Sequence, residues 1–308
     1  AEAALARGWE VRLLTLTDTL AVRVWNDSRG FPVVGIPRSL PRPRRIQQTV
    51  VHLRRGLLRS DVLFANGLFE ESALAAGFTR RPWAAKVVGD PLWERATNSS
   101  RTSADIAVIH RELLAPSLRF QRAALATSLT TAKRIITPSA ELADFVAGWG
   151  LPAPVMIPNG VSIESLSDQP RDLEVVTVCR LVPWKGLEVL IRACVQERAT
   201  LTILGDGPIR RDLERLVSVM SANHLVKFLG SVEPDEVRGI LSRARVFALN
   251  SSYEGMSFAL LESRERGLPA VVGYNPGNLS VVRDGVDGLL VDPHSVTDLG
   301  KALTKVLC

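Results

Sequence analysis

Cysteine is scarce in this 308-residue chain: only Cys179, Cys194 and Cys308 occur, in no metal-like or redox-like spacing. Neither a disulfide framework nor a cysteine-rich metal site is therefore expected. Cys179 and Cys194 read as buried apolar residues. Nothing calls for an oxidising compartment, so the expected location is cytoplasmic. Long apolar runs are missing too, and none approaches the roughly 18 residues that a membrane-spanning helix needs. The amino terminus, AEAALARGWEVRLLTLTDT, has charged and apolar parts in the wrong order for a signal peptide. It reads as a helix end, a turn at Arg7 and Gly8, and a strand over 11–16. There is no Asp-x-Asp pair to carry a metal. There is also no Gly-x-Gly-x-x-Gly turn, which sets aside a dinucleotide oxidoreductase.

What is present is an uneven charge. The net +6 divides into a surplus of eight positive charges over residues 1–160 and a deficit of two over 161–308. Seven arginines (38, 42, 44, 45, 54, 55 and 59) fall within 38–59 without one acid. Such a cluster suits an anionic lipid surface or a phosphorylated acceptor, or is simply a solvated helix face with a basic loop. Aromatic residues are not interleaved with it, so nucleic acid is not expected as a partner.

Strands alternate with helices of 10–15 residues, most clearly in the second half. Strands are expected at 174–179, 200–204, 226–229, 246–250 and 270–273, with helices at 186–196, 209–220, 234–243 and 256–266. The first half alternates more loosely, with strands at 11–16, 62–65, 85–88 and 134–137, and helices at 45–58, 70–76, 118–132 and 140–149. The proline-rich stretch 32–43 reads as irregular. The turn at 157–160 is taken as a junction between domains 1–160 and 161–308. The pattern predicts an α/β protein with two Rossmann-like, doubly wound domains facing across a cleft. Ligands of such sheets sit beyond the carboxyl ends of the strands.

Two motifs carry chemistry there. In Cys179-Arg180-Leu181-Val182-Pro183-Trp184-Lys185-Gly186, two cations lie between a strand end and a helix start, which suits a diphosphate. In Ser251-Ser252-Tyr253-Glu254-Gly255-Met256-Ser257-Phe258-Ala259-Leu260-Leu261-Glu262, two carboxylates stand eight positions apart. Were the whole stretch helical, they would be separated by about 12 Å of rise, near the span from a sugar ring to a ribose across a diphosphate. Gly255 would let the backbone of 255–258 approach the phosphates or the sugar. For an isolated pair, a helix cap and a solvated helix face are the plainer readings of Glu254 and Glu262.

VCRLVPWKGLEVLIRA, LTILGDGPIRRDLERL, VKFLGSV, the Glu254–Glu262 motif and AVVGYNPGNLSVVRDGVDGLLVDP follow one another in order. They resemble the conserved segments of glycosyltransferase family 4, the retaining "group 1" enzymes of GT-B fold. The first half is less close: RGWEVRLLTLT, DVLFANGLFEESALAA, KVVGDPLW, IITPSAELADF and VMIPNGV are similar to that family's early segments. The resemblance implies transfer of a sugar from a nucleoside-diphosphate-sugar to an acceptor hydroxyl with retention, in cell-envelope polysaccharide or glycolipid synthesis. It implies that Arg180 and Lys185 hold the diphosphate, that Glu254 contacts the sugar, and that Glu262 meets the ribose. Gly205, Gly230, Ser231 and Val232 would border the nucleotide, the last three near the base. Gly255, Met256, Ser257 and Phe258 would complete the donor site, with Asp90 beside the reacting centre. No cofactor and no metal are expected.

Two departures stand out. Gly89 occupies the place where the family commonly has an active-site His, and the usual Gly-Gly-x-x-Glu reads here as Asn275-Pro276-Gly277-Asn278-Leu279-Ser280. Of the four histidines (52, 110, 224 and 294), none sits on the motif. Measured against the family, the chain begins inside a first helix and ends before a final crossover helix, so impaired activity or stability is expected. A homologue that binds the donor without transferring it is the alternative reading.

Overall fold

The computed structural model describes residues 2–98, 116–163 and 170–308; His110 lies outside them. In chain order the first stretch runs α1 (Glu2–Leu5), β1 (Leu13–Thr17), β2 (Arg23–Asn26), β3 (Pro32–Pro37), α2 (Arg42–Leu57), β4 (Leu63–Ala65), α3 (Phe69–Thr79), β5 (Trp83–Lys86) and α4 (Pro91–Asn98). After it come α5 (Pro116–Thr130), β6 (Arg134–Thr137), α6 (Ala140–Ala147) and β7 (Val155–Met156). The remainder is β8 (Leu173–Val178), a 3-10 turn (Pro183–Lys185), α7 (Leu187–Gln196), β9 (Leu201–Leu204), α8 (Arg210–Val219), β10 (Val226–Gly230), α9 (Pro234–Arg243) and β11 (Ala244–Leu249). It ends with α10 (Phe258–Glu265), β12 (Ala270–Gly273), α11 (Pro276–Leu279), β13 (Gly288–Val291) and α12 (Val296–Leu307).

The chain forms two compact units, and the exchange between them does not follow a single cut. The first contains Ala1–Val87, Pro116–Thr137 and Ala143–Val155; the chain from Val88 through α4, the short stretch Pro138–Leu142 and Met156–Cys308 belong to the second.

In the first unit, β3 pairs in parallel with β1 and antiparallel with β2. The region expected to be irregular is thus the central strand of a three-stranded sheet. Its prolines stand at its two ends, where a missing N–H costs a sheet least, and Val33 and Ile36 between them are buried. A second sheet has the order β4-β5-β6-β7. Helix α3 packs against α2, β4, β5 and α5.

The second unit is built on a six-stranded sheet in the order β10-β9-β8-β11-β12-β13, parallel throughout. Both faces are covered. Val175, Val246 and Ala248 share one core with Leu187, Leu190 and Ile191 of α7, Leu213 and Val217 of α8, and Leu299 and Leu303 of α12. Val176, Phe247 and Leu249 share the other with Ile240 and Leu241 of α9 and Leu260 of α10. Burial on both faces explains why these strands read as continuous apolar runs. The strand order reverses direction between β8 and β11, so the switch point of the sheet lies at their carboxyl ends.

Candidate functional site

Each motif of the second half leaves a strand of this sheet at its carboxyl end. Arg180 and Lys185 follow β8, Gly205 follows β9, and Ser231 follows β10. Glu254 follows β11, and Asn275 follows β12. At the switch point, Lys185 Nζ and Glu254 Oε1 form an ion pair between side chains only 14% and 9% exposed. Ser251 donates a hydrogen bond of 2.6 Å to the same Oε1. Burial works to lower the Lys185 pKa, but the field and hydrogen bond of Glu254, with help from Cys179 and Glu94, hold it above its usual range. Lys185 is therefore a charged ammonium tied to Glu254. Arg180 is exposed, and its guanidinium makes no hydrogen bond or ion pair among the described residues. The Cys179 thiol beside them is pushed up to about 11, chiefly by burial, which suits its expected apolar role.

The helix after Glu254 starts later than expected. Ser257 caps it, accepting the Leu260 N–H at 3.3 Å, and α10 begins at Phe258. Glu254 thus lies on a loop, and its separation from Glu262 is not eight residues of helical rise. Gly255 also differs from expectation: a Cβ there would collide with the Val88 carbonyl and meet Leu142 Cδ1 at 2.7 Å. Its bareness serves the packing of neighbouring chain. Asn159, buried in the turn at 157–160, donates its side-chain amide to the Met256 carbonyl at 3.0 Å and its peptide N–H to Met256 Sδ at 3.2 Å. Phe258 is 51% exposed. The backbone over 255–258 is thus braced by protein groups, and the N–H groups of Phe258 and Ala259 are the unbonded ones at the helix start.

Glu262 is half-buried. Burial raises its pKa, while Arg238 and Arg266 oppose the rise. Among the described residues no hydrogen bond or ion pair links it to the Lys185–Glu254 pair. Gly205 donates its N–H to the Gly230 carbonyl at 2.7 Å and lies over the Cys179 carbonyl, so the β9 and β10 ends rest against the Arg180 loop. Ser231 is exposed, and Val232 packs on the core beneath α9. Arg210, held by Asp206 at 3.1 Å and Glu214 at 2.8 Å, brings Nη1 to 3.0 Å from where a Gly230 Cβ would stand.

The departure at 275–280 has a structural explanation. Asn275 caps the single turn α11 through the Asn278 N–H at 3.0 Å and donates to the Ser251 carbonyl at 2.9 Å. Asn278 donates to the Gly273 carbonyl at 2.8 Å. A Cβ on Gly277 would collide with the Glu254 carbonyl. The loop therefore clamps the Glu254 backbone from behind, a positioning role the sequence did not disclose.

The stretch around Asp90 completes the cluster. Asp90 is 2% exposed, and its carboxylate accepts the Leu92 N–H at 2.8 Å at the start of α4. Trp93 packs tilted at 4.9 Å against Trp184 and edge-on at 5.1 Å against Tyr253, which pins α4 to the loops after β8 and β11. Glu94, which sequence reasoning did not single out, is the next residue. Burial and then Asp90 raise its pKa; Lys185 and Arg180 oppose this, and Glu254 adds to it. These four charged neighbours place Glu94 in the same cluster. The Tyr253 hydroxyl is buried without a hydrogen-bond partner among the described residues; the Asp90 peptide approaches it outside bonding geometry.

A separate cavity of about 560 Å3 opens between α7 and α8, bordered by Leu187, Ile209, Leu216, Asn250 and His294. It contains none of the residues singled out from the sequence.

Residues 1–160 match the model of the glycosyl transferase 4-like domain, and residues 162–308 match that of the glycosyl transferases group 1. An uncharacterized glycosyltransferase from Methanocaldococcus jannaschii is 33% identical over 147 residues, which is 46% of this chain and 38% of that protein. A lipopolysaccharide core biosynthesis glycosyltransferase from Rhizobium meliloti is 32% identical over 142 residues, 46% of this chain and 41% of that one. A GDP-mannose-dependent phosphatidylinositol monomannoside mannosyltransferase from Mycobacterium tuberculosis is 32% identical over 43% of this chain and 38% of its own length. The matched part thus spans about two fifths of these relatives. Sucrose-phosphate synthase from Thermosynechococcus elongatus has the same fold at a TM-score of 0.77, with 19% identity, covering 99% of this chain and 82% of that one. HepE from Anabaena, solved with UDP and glucose, has a TM-score of 0.72 at 18% identity, over 89% of this chain and 76% of that one. With parallel strand pairing in both units and family matches over 1–160 and 162–308, the chain belongs to the group 1 glycosyltransferases of GT-B fold.

Proposed function

We propose that the chain transfers a sugar from a nucleoside-diphosphate-sugar to an acceptor hydroxyl, with retention at the anomeric carbon. The observation that carries this reading is the buried Lys185–Glu254 pair at the switch point, beside the unpaired Arg180. A diphosphate entering there would meet the Arg180 guanidinium, draw on the Lys185 ammonium, and face the open N–H groups that start α10. Those groups would be strongest where charge builds on the leaving diphosphate, which is what lowers the barrier. Glu254 uses one oxygen for Lys185 and Ser251, and its second oxygen is available to a sugar hydroxyl. On this reading the diphosphate charge is met by side chains and peptide dipoles, with no metal and no cofactor. Gly230, Ser231 and Val232 would border the base, and Glu262 would reach the ribose. UDP accompanies HepE, and GDP-mannose is the donor of the mycobacterial relative, so both bases are candidates.

The acceptor is proposed to belong to cell-envelope polysaccharide or glycolipid synthesis, as in the lipopolysaccharide and phosphatidylinositol mannoside relatives. Among the described residues no helix is long and apolar enough to cross a membrane. Arg44, Arg54 and Arg55 of α2 are exposed beside Val51 and Leu58, and this face is the proposed peripheral contact with an anionic membrane on the cytoplasmic side. Gly89 favours the second reading, donor binding without transfer. The test is sugar release from UDP- and GDP-sugars by the full chain and by Arg180→Ala with Lys185→Ala. Turnover within a few-fold of the parent would reject the diphosphate role; binding without release would favour the second reading.

A further inference from the structure

The place left bare by Gly89 is not empty. A Cβ at position 89 would come within 2.6 Å of Glu94 Oε1 and 3.5 Å of the Tyr253 hydroxyl. The Glu94 carboxyl therefore stands where a side chain at 89 would begin. Its position is fixed by the fold: its N–H bonds the Asp90 carbonyl at 3.0 Å in the first turn of α4. The adjoining Trp93 is locked between Trp184 and Tyr253. The charges of Arg180 and Lys185 favour the ionised form of Glu94, and those of Asp90 and Glu254 oppose it. The Glu94 carboxyl makes no hydrogen bond or ion pair among the described residues.

Resting on the donor reading above, we infer that Glu94, whose carboxyl occupies the place beside Gly89, is the group that binds a hydroxyl of the transferred sugar. The chemistry selects this ligand. A carboxyl next to Glu254 and Asp90 repels a second phosphate, and a neutral hydroxyl is the donor-acceptor partner that suits it. Its pKa is raised by burial and Asp90 against the pull of Lys185 and Arg180, so it exchanges a proton at a higher pH than an ordinary Glu. In the protonated form it donates as well as accepts. Gly89 and Glu94 then act as one unit: a side chain at 89 would oblige the Glu94 carboxyl to swing away from its present place.

The experiment is calorimetric binding of UDP, GDP, UDP-glucose and GDP-mannose to the full chain, to Glu94→Ala and to Glu94→Gln, with melting temperature as the control for folding. For the nucleotide pair that binds the parent, Glu94→Ala is expected to leave nucleoside diphosphate affinity within about twofold and to weaken the sugar nucleotide by about tenfold or more. Glu94→Gln keeps the shape and should fall between. In the parent the extra affinity conferred by the sugar should vary with pH above the range in which an ordinary Glu titrates, and in Glu94→Gln it should be flat. Unchanged sugar-nucleotide affinity in Glu94→Ala, or equal loss for nucleotide and sugar nucleotide, would overturn the assignment while leaving the donor reading in place. A parent that binds none of the four ligands would overturn the donor reading and this inference with it.

Discussion

The two units differ in how their sheets are buried, and that difference decides where chemistry is assembled. The second unit has one parallel sheet with helices on both faces, and its four inner strands are mostly buried. Loops at such strand ends inherit rigid anchor points, and this one gathers Arg180, Lys185, Glu254 and Glu94 at the switch point. In the first unit β2 is exposed at all four positions and β7 at both of its two. Its distinctive feature is surface charge, not a buried cluster.

Breaking the comparison starts with the second unit's buried pair. Lys185→Ala would strand Glu254 without its cation, and a loss of about 3–5 kcal/mol in denaturant unfolding is expected. A loss below about 1 kcal/mol would show that water reaches the pair freely. Next, Gly255→Ala forces a methyl against Val88 and Leu142 and should cost about 1–3 kcal/mol. Asn275→Ala removes a cap and two amide hydrogen bonds behind Glu254; about 1–2 kcal/mol is expected, together with weaker donor binding. Loss of stability with donor affinity unchanged would mean that the 275–280 loop does not position Glu254.

A smaller effect concerns pH. Burial works to raise the Asp287 pKa, but hydrogen bonds from the Arg283 side chain and peptide and from Arg264 hold it down to about 2. A depressed carboxyl contributes stability that is present above its unfolded pKa and is lost as pH falls through the folded value. Asp287→Asn should thus destabilise the chain at pH 6 by about 1 kcal/mol, and the difference should vanish as pH falls from about 4 towards 2. The smallest change is expected in the first unit, where Arg55→Ala on the exposed face of α2 should shift stability by less than about 0.5 kcal/mol. Its readout is instead cosedimentation with anionic vesicles.

The same contrast explains what was legible from the sequence. Continuous apolar strands and Arg180, Lys185 and Glu254 in family spacing located the second unit and its strand ends. The first unit's β3 was read as irregular because Pro32 and Pro37 look like breakers when their places at the two ends of the strand are unknown. The β2 strand carries Arg23 and Asn26 with no buried face, so no alternation marks it. Within the site, Gly255 looked like an approach to ligand because its neighbour, Val88, is 167 positions away in the chain. Glu94 was missed for the same reason: nothing in its local sequence says that its carboxyl fills the space beside Gly89. The Asn275 and Asn278 braces stand where the family has its acid, and their partners are the peptide carbonyls of nearby Gly273 and of Ser251 in the loop after β11.

The central claim is that an anion pocket at the switch point of the second unit's sheet is built by Arg180 and by Lys185 paired with Glu254. Calorimetric titration of UDP and GDP into the full chain and into Arg180→Ala tests it most directly. The account predicts that at least one nucleotide binds the parent and that Arg180→Ala weakens it by about tenfold or more with unchanged melting temperature. Equal affinity in the two proteins would contradict it.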